Sequence, residues 1–156
     1  GATGPSDRTD VSTGIAASWI DDAVEWWTLS AAMKGQLLVP TVVGGDEPIS
    51  LDWRRLDSIM KEIVDNAIQH GNSGTIEIAV AVTPQTIEVN VTDSGPGISD
   101  EAIATAFEPF VKHSDGGGVG IGLSIAHRLA VGAGGSLKMT SDGSATRLSV
   151  SLPREH

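Results

Sequence analysis

The sequence predicts an α+β fold, a two-layer α/β sandwich whose mostly antiparallel sheet carries helices on one face. Three observations lead there. Two long segments repeat apolar residues at three- and four-residue intervals, paired runs alternate apolar and polar residues, and glycine clusters stand between these segments. The chain has 156 residues, the size of one domain.

Gly1 to Arg8 are small and polar and are set aside as a disordered lead-in or expression remnant, so the folded domain is expected over residues 9–156. From Val11 to about Gly35, the residues Ile15, Trp19, Ile20, Ala23, Val24, Trp27 and Ala31 give helical spacing, with three tryptophans expected in the core. Leu37 to Val43 reads as a strand closed by the turn Gly44-Gly45-Asp46. A long helix is expected next between Asp52 and His70, with Leu56, Ile59, Met60, Ile63, Val64 and Ala67 as its apolar stripe and Gly71-Asn72 as a C-cap. Ile76, Ile78, Val80 and Val82, then Ile87, Val89 and Val91, alternate on either side of Thr83-Pro84-Gln85 and read as a hairpin. Ser99 caps a short helix to about Ala106; another helix is expected from Ile121 to Val131. Leu137 to Thr140 and Thr146 to Leu152, joined at Asp142-Gly143, form a last hairpin.

Composition excludes several functions. Ten basic against twenty acidic residues give a net charge of -10, which removes the attraction behind non-specific nucleic-acid binding. Without cysteine there is no disulfide, thiol nucleophile or thiolate metal site, and His70, His113, His127 and His156 fit no metal-ligand spacing. No run is long and apolar enough to span a membrane, so a cytoplasmic domain without membrane contact is expected.

Three constellations carry chemistry. Glu62, Asn66 and His70 stand four residues apart on one helix face, with Gln69 beside them. An amide oxygen at 66 suits Mg²⁺, and a carboxylate at 62 can orient or deprotonate a nucleophile, although the row alone also fits a solvated helix face. Asp93-Ser94-Gly95-Pro96-Gly97 follows a strand; its carboxylate can accept from an amino group such as adenine N6, and its glycines permit close backbone approach, although the same residues make a plain turn. Gly116 to Gly122 run into a helix and would offer N–H groups and a positive dipole end to phosphate oxygens, with Lys112 on the approach. Neither a P-loop nor a dinucleotide fingerprint is present.

In order, Glu62-Ile63-Val64-Asp65-Asn66-Ala67 resembles an N box, Asp93 to Gly97 a G1 box, Phe107-Glu108-Pro109-Phe110 an F box and Gly118 to Leu123 a G2 box. Together they resemble the GHKL (Bergerat-fold) ATPases, which include gyrase, Hsp90, histidine kinases and MutL. Asp52 to Leu56 and the ending from Gly134 to Pro153 are similar to the catalytic domain of two-component sensor histidine kinases, over roughly residues 10–153.

The resemblance implies a mixed, mostly antiparallel sheet and the cofactors ATP and Mg²⁺. Glu62 and Asn66 are implied as the catalytic and metal-binding pair and Asp93 as the partner of adenine N6. Gly95, Gly97 and Ile98 line the base pocket, with Thr146 assisting through water. Gln69, His70, Lys112 and the backbone of Gly118, Val119, Gly120, Ile121, Gly122 and Leu123 complete the nucleotide contacts, and Phe107 and Phe110 anchor a short lid. It also implies γ-phosphate transfer to a histidine on a separate dimerisation domain of the parent kinase, with a response regulator as indirect partner. None of the four histidines lies in such a helix, so the chain is expected to be an isolated, mainly monomeric catalytic domain. Many histidine kinases carry Asn at position 62 and Lys at position 69. Glu62 therefore keeps open an anti-sigma-type serine kinase and a hydrolytic ATPase, alongside a nucleotide-binding pseudokinase or regulatory module.

Overall fold

The computed structural model describes residues 10–95, 97–108 and 120–155, with only the backbone of Gly120 and Ile121. Strand β1 (Ser12–Ile15) opens the fold, followed by α1 (Ala16–Met33), β2 (Gln36–Val43), β3 (Pro48–Leu51) and α2 (Trp53–His70). The hairpin β4 (Gly74–Val82) and β5 (Thr86–Asp93) leads to the short α3 (Asp100–Ala104). Helix α4 (Gly120–Gly132), β6 (Ser136–Ser141) and β7 (Thr146–Pro153) complete the chain.

The main sheet has the order β2-β4-β5-β7-β6, with β2 parallel to β4 and every other pairing antiparallel. Register explains its two faces. Val80, Val89 and Val150 are neighbours across three strands, as are Ile78, Val91 and Leu148, so one face is a continuous Ile/Val/Leu surface. The other face presents Glu77, Glu88, Lys138 and Arg147 to solvent. Against the apolar face lie Leu56, Ile59, Met60, Ile63, Val64 and Ala67 of α2 and Leu123, Ala126 and Ala130 of α4, all buried. Each fully buried Leu or Ile contributes about 1.5–3 kcal/mol, which is what fixes α2 on the sheet. Asp52 caps that helix by accepting from the Arg55 N–H at 3.0 Å. The guanidinium of Arg55 donates to the Leu129 carbonyl at 3.1 Å, tying α4 to the start of α2.

The expected elements form, with four corrections. Helix α1 starts at Ala16 rather than Val11, because Ser12–Ile15 pair antiparallel with Pro48–Leu51. That second strand falls where the sequence suggested only a turn leading into a helix; four residues are too few to display a period. Of the tryptophans expected in the core, Trp26 is 83% exposed, whereas Trp19 and Trp27 are half-buried and donate to Asp57 and Asp65 of α2 at 2.7 and 3.0 Å. Gly71 ends α2 in an extended conformation (φ -74°, ψ 157°) instead of a left-handed cap. No described helix is long and apolar enough to cross a membrane.

Candidate functional site

β5 ends the apolar row Val89, Val91 with a carboxylate, Asp93, in register with Thr146 on β7. Both are buried, at 7% and 6% exposure. Asp93 Oδ1 accepts the Gly95 N–H at 2.8 Å, and the carboxylate accepts no hydrogen bond from any other described residue. Burial raises its pKa above the ordinary 3.8, a shift partly offset by the Gly95 N–H. A buried carboxylate with acceptor capacity in reserve suits an N–H-bearing ligand that supplies the missing donor.

The chain after Asp93 is clamped from the far edge of the sheet. Gly97 has φ +80°, and a Cβ there would lie 2.7 Å from Gly143 Cα, so only glycine fits. Ser141 Oγ accepts the Ile98 N–H at 2.9 Å and donates to the Ala145 carbonyl at 3.1 Å, linking the segment to the β6–β7 turn. In that turn Asp142 accepts the Ser144 N–H at 3.0 Å and the Ala145 N–H at 2.9 Å, bonds that hold its carboxyl below the usual range. Ile98 is half-buried against the core.

Glu62 and Asn66 sit one helical turn apart on the side of α2 that meets α4. A Cβ on Gly122, in the first turn of α4, would run into Glu62 Oε2, so this glycine is the space that the carboxylate occupies. The Glu62 side chain is 26% exposed, with Lys61 Nζ 4.0 Å from Oε1. Asn66 is buried, yet its amide makes no hydrogen bond to a described residue. The two side chains thus offer oxygen donors beside backbone N–H groups of a helix start, the chemistry that suits a hard cation whose remaining ligands come from a phosphate-bearing substrate. Among the described residues no group of three or more His, Asp or Glu could hold a metal without such a substrate.

Other sequence-predicted residues are placed differently. The Leu123 side chain is fully buried, leaving only its backbone for a ligand. Gln69 is exposed in a recess with Met33, Lys34, Asp65 and Ile68, on the α1 side of α2. His70 is half-buried; its carbonyl oxygen lies 3.3 Å from where a Gly95 Cβ would stand. Phe107 stacks on His127 with ring centroids 4.8 Å apart, fastening the chain after α3 to α4. Pro96, Pro109, Phe110, Lys112, His113, Gly116, Gly117, Gly118, Val119, His156, the side chain of Ile121 and the lead-in lie outside the described residues. Sequence reasoning missed Ser141, whose only local signal is its place at a strand end before a turn.

Comparison with known proteins places this geometry. Residues 51–156 match the family model described as histidine kinase-, DNA gyrase B- and HSP90-like ATPase. The chain is 35% identical over 117 residues to the sensor protein TorS of Escherichia coli, covering 72% of this chain and 13% of TorS. It is 34% identical over 110 residues to the sensor histidine kinase component HK1 of Mycobacterium tuberculosis, covering 67% of this chain and 64% of HK1. It therefore spans only part of the curated relatives it matches. Among solved structures, the catalytic domain of histidine kinase ThkA, nucleotide-free, superposes with a TM-score of 0.81 at 19% identity, covering 93% of this chain and 96% of that one. Full-length ShkA in complex with AMPPNP gives a TM-score of 0.84 at 24% identity, covering 94% of this chain and 32% of that one. With the match spanning more than half of the sequence, the chain belongs to the histidine kinase-, DNA gyrase B- and HSP90-like ATPase family.

Proposed function

We propose that residues 9–156 form the catalytic domain of a sensor histidine kinase, which binds Mg-ATP and donates the γ-phosphate to a histidine on a dimerisation domain supplied in trans. The observation that carries this reading is Asp93: a buried carboxylate at a strand end, held by one backbone N–H and backed by Thr146, whose remaining acceptor capacity matches the amino group of adenine. GTP carries a carbonyl at that position and would face the carboxylate with an acceptor.

Asn66 Oδ1 and Glu62 would hold Mg²⁺ together with phosphate oxygens; when bound, the ion neutralises phosphate charge. The chain's own part is positioning. The α4 N-terminus directs N–H groups and its dipole at the phosphates, and Asp93 fixes the opposite end of the nucleotide, so the γ-phosphate is presented in one orientation to an incoming imidazole. Glu62, seated against Gly122, is placed to orient the attacking group or a water on the ion.

The test is transfer of labelled γ-phosphate from ATP to a purified histidine-bearing dimerisation domain. Acid-labile, base-stable label on that domain is the expected result. Acid-stable label on a serine protein would favour Glu62 as a base in a serine kinase, and ATP binding without transfer to either would leave a regulatory nucleotide module.

A further inference from the structure

Outside the family motifs, two side chains converge on the end of α2. Lys34 Nζ donates to the carbonyls of Ile68 at 2.7 Å and Gln69 at 2.8 Å. Gln36, at the start of β2 and only 5% exposed, directs its Nε2 at the carbonyls of Ile68, Gly71 and Asn72, at 3.1, 3.3 and 3.4 Å. Three acceptors around one amide nitrogen fix its orientation, because a flipped amide would set oxygen against oxygen. That orientation leaves Gln36 Oε1 buried without a hydrogen-bond partner among the described residues, a cost accepted to keep the donor where it is.

What the donor holds is the back wall of the base pocket. A Cβ on Gly71 would lie 2.6 Å from the Ala67 carbonyl oxygen, 3.2 Å from Asp93 Cβ and 3.2 Å from Gln36 Nε2, so Gly71 is pinched between α2, β5 and β2. On the other side, a Cβ on Gly95 would be 3.6 Å from Gly71 Cα and 2.7 Å from Asp93 Oδ1. Gln36, Gly71, Asp93 and Gly95 are thus stacked in contact.

We propose that Gln36 is a positioning residue for the nucleotide: its amide clamps Gly71 and Asn72, and through Gly71 keeps Asp93 and Gly95 in the arrangement that receives the base. The proposal rests on the nucleotide-binding reading above. A lost clamp lets the Gly71–Asn72 segment move out and admits water beside Asp93, which weakens the discrimination between an amino group and a carbonyl on the base.

The experiment compares Gln36→Met, of similar length with no donor, and Gln36→Lys, which restores a donor at the negative end of α2. Two readouts are taken on each: amide hydrogen exchange across the chain, and affinities for Mg-ATP and Mg-GTP. Gln36→Met is expected to speed exchange at Gly95 at least tenfold while amides in the middle of β5 and β7 stay protected, and to narrow the ATP/GTP affinity ratio about tenfold. Gln36→Lys is expected to return both most of the way. Unchanged Gly95 exchange, or an unchanged ratio in a wild type that binds ATP, overturns the proposal. So does uniform loss of protection in both variants, which is a general stability effect. A wild type that binds neither nucleotide, with Gly95 exchange still responding to Gln36, refutes the nucleotide reading and leaves the clamp without that role.

Discussion

The two ends of the candidate site follow opposite specifications along α2. At its C-terminal end the backbone is gripped by Lys34 and Gln36, Gly71 is wedged against Asp93, and the carboxylate is 7% exposed. One turn and more toward the N-terminus, Glu62 is 26% exposed, with Lys61 beside it and a glycine of α4 as its neighbour. The first end is dry and already hydrogen-bonded; the second is wetter at Glu62 and holds a buried Asn66 without a hydrogen-bond partner among the described residues. Under the proposed function the difference separates recognition from chemistry: a base of fixed shape would be read by a pocket that exists beforehand, whereas phosphates and their ion would bring the missing ligands with them.

The largest expected effect lies at the dry end. Asp93→Asn keeps an oxygen for the Gly95 N–H but replaces the remaining acceptor by a donor, so ATP affinity is expected to fall about 100-fold, measured by calorimetry. Stability should not fall with it. The fold disfavours the charged form of Asp93, so this group's contribution is favourable when protonated, below about 3.8, and is lost as pH rises through the raised folded value. At neutral pH the amide is expected to match or exceed the wild type in denaturant unfolding, and ATP affinity of the wild type should weaken as pH falls through the same raised value.

At the wet end the effects should be larger in transfer than in binding. Glu62→Ala is expected to weaken Mg-ATP binding by about fivefold, the loss of one ion ligand, while slowing phosphate transfer to a supplied histidine domain by about 100-fold, read in single-turnover assays. Lost folding stability instead would mark Glu62 as structural. Gly122→Ala sharpens this. An alanine gains about 1 kcal/mol of helix propensity, and the atom it meets first is the tip of a flexible side chain, so the fold should tolerate it. The displaced Glu62 carboxylate should nevertheless cost about tenfold in transfer, and in the Glu62→Ala background Gly122→Ala should cost almost nothing further.

The smallest effect belongs to the strap between the sheet edge and the segment after Asp93. Ser141→Ala leaves the Ile98 N–H and the Ala145 carbonyl without their shared partner, about 1 kcal/mol of stability, with ATP affinity expected to weaken about threefold.

Much of this arrangement was legible in the sequence. The apolar stripe from Leu56 to Ala67 placed Asn66 and Glu62 on one helix, and the alternation from Ile87 to Val91 placed Asp93 at a strand end. Long-range juxtaposition was not legible. Glu62 and Gly122 are 60 residues apart, and nothing local in either says that one fills the space left by the other. Gln36 reads as the polar first residue of a strand, and its three carbonyl partners are created only when β2 lies beside β4 under the end of α2. The β1–β3 pair escaped notice because four-residue strands carry no period, and Trp26 because helical spacing alone does not say which aromatic faces water.

The central proposal is that the base end is prebuilt for a purine bearing its amino group at C6. Calorimetric titration of Mg-ATP and of Mg-GTP into the wild type and into Asp93→Asn, each shown to be folded by circular dichroism, tests it most directly. ATP is expected to bind at least about 100-fold tighter than GTP in the wild type, with little discrimination left in the variant. Equal affinities for the two nucleotides in the wild type, or full ATP affinity retained by Asp93→Asn, would contradict it.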